Sequence, residues 1–185
     1  MSRRESDKRR LFRRGFTLME LATVVMVIAI LLAMLLPGFS YMKARADRTK
    51  CFKNLTNIYV SMTVYIQDHG GWPQIDPVTL HTPAYPKAWI KALEPYHLGI
   101  QNWTCPSVQR EMHDPDLSKL ENQRIDYFAT PFGNERHLPY KFPRQPWFIE
   151  RGDMHGDGQL ILFPDGKVQS LKEVLRDTTV QRMDP

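Results

Sequence analysis

The chain has 185 residues, with 25 Lys and Arg against 20 Asp and Glu and a formal charge of +5; that length suits one ordinary domain with an appendage and excludes two large ones. Residues 1–14 hold seven of the basic residues (Arg3, Arg4, Lys8, Arg9, Arg10, Arg13, Arg14) but only Glu5 and Asp7. Beyond them 18 of the 25 basic and 18 of the 20 acidic residues remain, a formally neutral remainder without the phosphate-neutralising excess on which sequence-independent DNA binding rests, so no nucleic acid is expected as a partner.

The first predicted element starts at Phe16. From Leu21 to Leu36 the one polar side chain is Thr23, and Phe16 to Leu36 is 21 residues. At ~1.5 Å per residue that is about 31 Å of helix, enough to cross a hydrocarbon layer of ~30 Å. Helix is the form expected there, because lipid offers no partners to unpaired backbone groups. The basic flank before it predicts a cytoplasmic N-terminus and places the remainder outside. Glu20 is out of keeping with a plain anchor. A carboxylate in a spanning helix costs on the order of a few kcal/mol near the bilayer centre and tends to mark function.

Gly15-Phe16-Thr17-Leu18-Met19-Glu20-Leu21 resembles the prepilin processing signal shared by type IV pilins and type II secretion pseudopilins. The resemblance implies peptidase cleavage between Gly15 and Phe16 and N-methylation of Phe16. It also implies an assembly role for Glu20 and a helix bend at Pro37. A simple signal anchor would account for the apolar run and basic flank, but needs neither the Gly15–Phe16 junction nor Glu20. A cleaved secretory signal would need small residues after the apolar core. Ala44-Arg45-Ala46 has that form, yet lies eight residues past Leu36.

Residues 39–68 contain no further Pro or Gly and continue the helix. Cys51, Leu55, Ile58, Met62 and Tyr65 step by four, three, four and three, which lays them on one face. Asp68-His69-Gly70-Gly71 ends it, glycine supplying a left-handed cap. Trp72 to Pro86 reads as loop, and Pro86 to Glu94 as a short helix. Cys105-Pro106-Ser107 reads as loop, and Ile125–Ala129 and Trp147–Glu150 as strands. Gln159–Phe163 and Lys167–Leu171 form a hairpin around Pro164-Asp165-Gly166, a type I turn closed by a glycine bulge. Residues 172–176 predict a short closing helix. The fold expected is α+β and pilin-like, a long N-terminal helix packed on a small antiparallel head. Its parts are a basic leader (1–15), a transmembrane and assembly half-helix (16–37), a periplasmic half (38–71) and a globular head with a C-terminal β-hairpin (72–185).

His155, nine residues and then Asp165-Gly166 resemble the H-x9-DG element of a large group of pilin-like proteins known from planctomycetes and their relatives. Cys51-Phe-Lys-Asn54-Leu55, Tyr65-Ile-Gln-Asp68-His-Gly70, Trp89 and Cys105-Pro106-Ser107 stand at places that correspond to that group's pattern. The resemblance implies a filament-type subunit.

Cys51 and Cys105 fall on the outward side, where an oxidising compartment would allow a disulfide closing a long loop. Two isolated thiols so far apart offer too few ligands for a metal. Asp153-Met-His155-Gly-Asp157-Gly158 imitates the start of a calcium loop, but Pro164 occupies the twelfth place where a bidentate glutamate belongs. A turn fixed by Asp and Gly is therefore preferred and no cofactor is expected, with Asp153 and Asp157 left as the minor calcium candidates. The other histidines have no ligand or triad spacing, and no nucleophile motif or phosphate loop appears, so no enzyme is expected.

The function expected is a structural subunit of a type IV pilus or type II secretion pseudopilus, in the inner membrane with a periplasmic head and in an extracellular filament after assembly. Its partners would be a prepilin peptidase, other pilin-like subunits, and an inner-membrane platform with its ATPase. The alternative is a membrane-tethered periplasmic binding module that does not polymerise, for which the aromatic and proline-rich segment Tyr127–Trp147 is the best feature. Mass spectrometry of the protein extracted from membranes should find a chain that begins at N-methyl-Phe16, and Gly15→Asp should leave the leader attached; an intact leader on the wild type would contradict the resemblance.

Overall fold

A computed structural model describes residues 16–112, 116, 119 and 123–183, without the side chains of 35–38 and 179–183. Gly15 and the rest of the basic leader lie outside the described residues. Helix α1 runs Leu18–His69, and the chain divides into two units, one up to Tyr41 and one from Met42. In the first unit every described side chain from Phe16 to Met34 is exposed, including Leu21, Val25, Ile28 and Leu31. No single helix among the described residues is long and apolar enough to cross a membrane; Leu18–Met34 and Phe39–His69 together meet that test by length and composition. Pro37 falls between these two segments.

In the second unit the outer part of α1 carries the packing stripe. Cys51, Leu55, Ile58 and Met62 are fully buried, and the stripe is completed by Ile66 rather than by Tyr65. Tyr65 is half-buried at the rim, stacked on His69 with ring centroids 4.1 Å apart and edge-on to Tyr96. A ring with a hydroxyl suits a rim better than a dry interior. Gly70, at φ +74°, ends the helix with its N–H on Ile66 O, a left-handed stop that only glycine adopts without cost.

The stretch expected to be loop contains a 3₁₀ turn at Pro77–His81, capped by Asp76, and α2 begins at Ala84 and runs to Leu93. Cys105-Pro106-Ser107 is likewise not simply loop: Cys105 is the N-cap of α3 (Pro106–Glu111), with proline at the first helical position. The strands are β1 (Tyr127–Ala129), β2 (Phe148–Glu150), β3 (Leu160–Leu162) and β4 (Val168–Ser170), an antiparallel sheet in the order β1-β2-β3-β4. A short helix α4 (Leu138–Lys141) lies between β1 and β2, and α5 extends over Leu171–Met183, longer than the turn or so expected.

The core is aromatic. Trp72, Trp103, Trp147, Tyr127 and Phe148 are fully buried together with the α1 stripe and Leu93. Trp72 meets Trp89, Trp147 and Phe132 edge-on, with centroids 6.0, 5.4 and 4.8 Å apart, the arrangement that ring quadrupoles favour. Tyr127 and Trp147, which bound the segment singled out for a binding role, thus belong to the interior.

The β3–β4 turn shows why Asp165-Gly166 is placed as it is. Asp165 Oδ1 accepts from Lys167 N–H at 3.0 Å, and Gly166 N–H donates to Phe163 O at 3.0 Å. Gly166 has φ +81°, and a Cβ there would meet Tyr59 of α1 at 2.9 Å. Gly166→Ala should therefore lose stability from both strain and contact, about 1–3 kcal/mol. Thermal unfolding of the detergent-solubilised chain should show a midpoint lowered by several degrees; an unchanged midpoint would mean that the turn does not press on α1.

Candidate functional site

The start of α1 is built by two side chains. Thr17 N–H and its hydroxyl each donate to Glu20 Oε2 at 2.9 Å, while Glu20 N–H donates to Thr17 Oγ1 at 3.2 Å. This is a reciprocal capping box, in which residues three apart satisfy each other's backbone donors. Leu21 N–H closes the first turn on Thr17 O, and the Thr23 hydroxyl donates to Glu20 O. Glu20 thus has a local structural task, and the spacing Thr17-x-x-Glu20 is its signal in the sequence. Phe16, just before the cap, is exposed.

The head contains a second constellation. Cys51 from α1, Cys105 from the N-cap of α3, Glu150 from the end of β2 and His155 from the β2–β3 loop converge in the interior. Their donor atoms all lie within 4.8 Å of one another. His155 Nε2 is 3.3 Å from Cys51 Sγ, 3.4 Å from Cys105 Sγ and 3.2 Å from Glu150 Oε1. Both cysteines are free thiols and fully buried, and the His155 and Glu150 side chains are each 1 % exposed.

Neighbouring groups hold each member in place. Leu160 N–H donates to Glu150 Oε2 at 3.1 Å. Cys105 N–H donates to buried Asp126 Oδ2 at 2.7 Å, and Arg124 lies 3.3 Å from the other oxygen of that carboxylate. Asn54 donates to the Tyr127 hydroxyl at 3.2 Å, and that hydroxyl donates to Cys51. Ser107 Oγ donates to Asp47 Oδ2 at 3.0 Å and stands 3.4 Å from His155 Nδ1. Arg110 in turn holds Asp47 with both nitrogens, Nη1 to Oδ1 at 3.1 Å and Nη2 to Oδ2.

Proximity makes the two thiols unequal. The Cys51 thiol beside it, and then His155 and the backbone N–H groups of Val108 and Ser107, bring Cys105 down to about 5. Cys51 is pushed far up, first by its bond to Cys105 and then by burial. His155 rises to about 9, first through Cys105 and then through Glu150. A thiolate beside imidazolium has the make-up of a nucleophile and its base, but Cys105 has no exposed surface and a substrate would have to unpack α3 to reach it.

Of the residues singled out in the sequence, Cys51, Cys105 and His155 come together. Asp165 and Gly166 do not join them; they shape the hairpin against Tyr59. Asp153 Oδ1 accepts from Gly156 N–H at 2.8 Å, a turn-forming bond, and Asp157 is exposed beside Arg45 and Arg48. The objection that two distant thiols lack further ligands does not hold in the folded chain, because Glu150 and His155 stand beside them. Glu150 was missed. Its signal was the alternation Phe148-Ile149-Glu150, which puts a carboxylate on the same face as a core phenylalanine.

A helix of 52 residues followed by a four-stranded antiparallel sheet defines a pilin-like protein. The chain belongs to the type IV pilin family. It is 34% identical over 125 residues to a type IV major pilin protein PilE1 of Neisseria gonorrhoeae, a match that covers 63% of this chain and 74% of that one. Another PilE1 of that organism is 33% identical over 117 residues; there the match takes in 63% of this chain but only 52%, about half, of the relative's length. The type II secretion system core protein G of Pectobacterium carotovorum subsp. carotovorum is 27% identical over 63 residues, 34% of this chain and 40% of that protein. No family model matches the chain, and no solved structure matches it.

The Asp47–Arg110 pair ties α1 to α3 beside the cluster. The Arg110 hydrogen bond is the largest cause holding the Asp47 carboxyl below its usual range. A carboxyl so depressed adds stability that is present above its unfolded value of ~3.9 and is lost as the pH falls through the lower folded value. The Arg110 side chain is 42% exposed, so solvent screening limits the contribution. Arg110→Ala should lower the unfolding free energy in urea by about 1 kcal/mol at pH 7, and the gap should close on acidification below the folded Asp47 value. An equal gap at all pH values would assign the effect to packing.

Proposed function

We propose that the protein is a structural filament subunit of the type IV pilus or type II pseudopilus kind, held in the inner membrane by α1 with its head in the periplasm until it is assembled. The observation that carries this reading is the bare apolar surface of residues 16–34 with a single carboxylate, Glu20, at its start. Such a surface is stable only when lipid or other copies of the same helix cover it. Family membership supports the same reading, since the relatives are a major pilin and a secretion-system core protein.

In this reading a prepilin peptidase removes residues 1–15, Phe16 becomes the methylated terminus, and an assembly platform with its ATPase extracts the subunit. Pro37 allows the helix to bend between its two segments. No catalytic step is assigned to the chain. Cleavage creates an ammonium group at Phe16, next to the Thr17–Glu20 cap. In an apolar layer each charge alone is unfavourable, and pairing offsets much of that cost. The amine of a neighbouring subunit, offset along the filament, can pair with Glu20 and so favours one axial stagger.

Glu20→Gln separates the two tasks of this residue, because glutamine can also close a capping box while the charge is lost. Membrane insertion and leader cleavage should persist, and incorporation into sheared surface filaments should fall roughly tenfold or more, as for loss of an interaction near 1.4 kcal/mol or greater. Wild-type assembly by the variant would remove the mechanism and favour a tethered module.

A further inference from the structure

We propose that Cys51, Cys105, Glu150 and His155 form a closed four-ligand site for a thiophilic divalent metal ion of the zinc class, which fastens α1 to α3 and the sheet. The site is independent of the filament reading, since all four residues belong to the head and the outer part of α1.

The separations measured from His155 Nε2 are those a tetrahedral centre requires. With Zn–S near ~2.3 Å and Zn–N near ~2.0 Å, a tetrahedron places its nitrogen ~3.5 Å from each sulfur and ~3.3 Å from a carboxylate oxygen. The observed separations from His155 Nε2 are 3.3 and 3.4 Å to the sulfurs and 3.2 Å to Glu150 Oε1. Hydrogen bonds from a single imidazole nitrogen cannot serve all of these contacts. Nε2 carries at most one proton, yet three electron-rich atoms surround it. Glu150 Oε1 is buried and faces His155 Nε2, the same nitrogen that both sulfurs approach, while Oε2 is fixed by Leu160 N–H. A buried carboxylate oxygen that must share one imidazole nitrogen with two sulfurs is costly unless a cation completes the group.

The surrounding groups prepare the ligands. The Ser107 hydroxyl gives its proton to Asp47 and can accept from His155 Nδ1–H, which leaves the Nε2 lone pair for the metal. The Tyr127 hydroxyl bonds Cys51 in the same outer shell. Two sulfurs with one nitrogen and one oxygen select zinc-like ions over calcium or magnesium, which prefer oxygen alone. With four protein ligands and no exposed sulfur, the centre is structural rather than catalytic. Binding displaces whatever protons Nε2 and the thiols carry, so the ligands enter as imidazole and two thiolates.

The experiment uses the full chain in detergent, purified without a metal-affinity tag, chelator or reductant. Elemental analysis together with thiol titration after denaturation in chelator should give one zinc and two free thiols per chain. After reduction and metal removal, CoCl2 should produce the intense visible bands of tetrahedral cobalt(II) and thiolate charge-transfer bands in the near ultraviolet, and ZnCl2 should abolish them. Cys51→Ser and His155→Ala should lose these bands, whereas His81→Ala, at an exposed position, should keep them. Ser107→Ala should keep the spectrum but weaken affinity by roughly 10- to 100-fold. Should the ligand variants fail to fold, alkylation of the wild type decides: zinc should shield both thiols and chelator expose them. No metal in the purified chain and no cobalt spectrum would overturn the proposal. So would a Cys51–Cys105 disulfide in a metal-free chain, or thiols equally reactive with and without zinc.

Discussion

The head depends on one contact, the packing of the outer part of α1 on the inner face of the sheet. Cys51, Leu55, Ile58, Met62 and Ile66 present a dry stripe, and Tyr127, Phe148, Leu160 and Leu162 meet it from the strands. The strands are only three residues each, and so small a sheet is marginal without a partner covering its face. The helix is that partner. Gly166 belongs to the same constraint, because the hairpin must come close enough for its backbone to touch Tyr59.

This apolar contact is interrupted at one end by polar groups that an interior does not readily accept. Asp47, Asn54, Asp126 and Glu150 are all buried. Three of them are answered by neighbours: Asp47 by Arg110 and Ser107, Asn54 by Thr104 O and Tyr127, and Asp126 by Cys105 N–H and Arg124. Glu150 accepts from Leu160 N–H on one oxygen, and its other oxygen has only the shared nitrogen of His155 beside it. A bound cation would complete the group, and its ligands would then join α1, α3 and β2. Such a cross-link would resist separation of α1 from the rest of the head.

The two ends of the molecule also differ in what makes them stable. In the head the apolar core is covered by the chain itself. Between Phe16 and Met34 no described residue covers the apolar side chains. A single carboxylate at the start of that run, Glu20, caps the helix together with Thr17.

Local pattern was enough to read much of this from the residues. The uninterrupted apolar run, the helical stripe from Cys51, the stop at Gly70 and the β-turn at Pro164-Asp165-Gly166 are short-range features, each decided by neighbours a few positions away. The rim place of Tyr65 and the early start of α2 depended on tertiary neighbours and were misjudged. Cys51, Cys105 and His155 were visible as recurrent residues, but their convergence was not, because it joins positions 50 to 104 residues apart. Glu150 shows the reason most clearly. In the sequence it is an acidic residue at a strand end, and only strand register with the helix packed above it turns that side chain inward, beside two sulfurs and an imidazole.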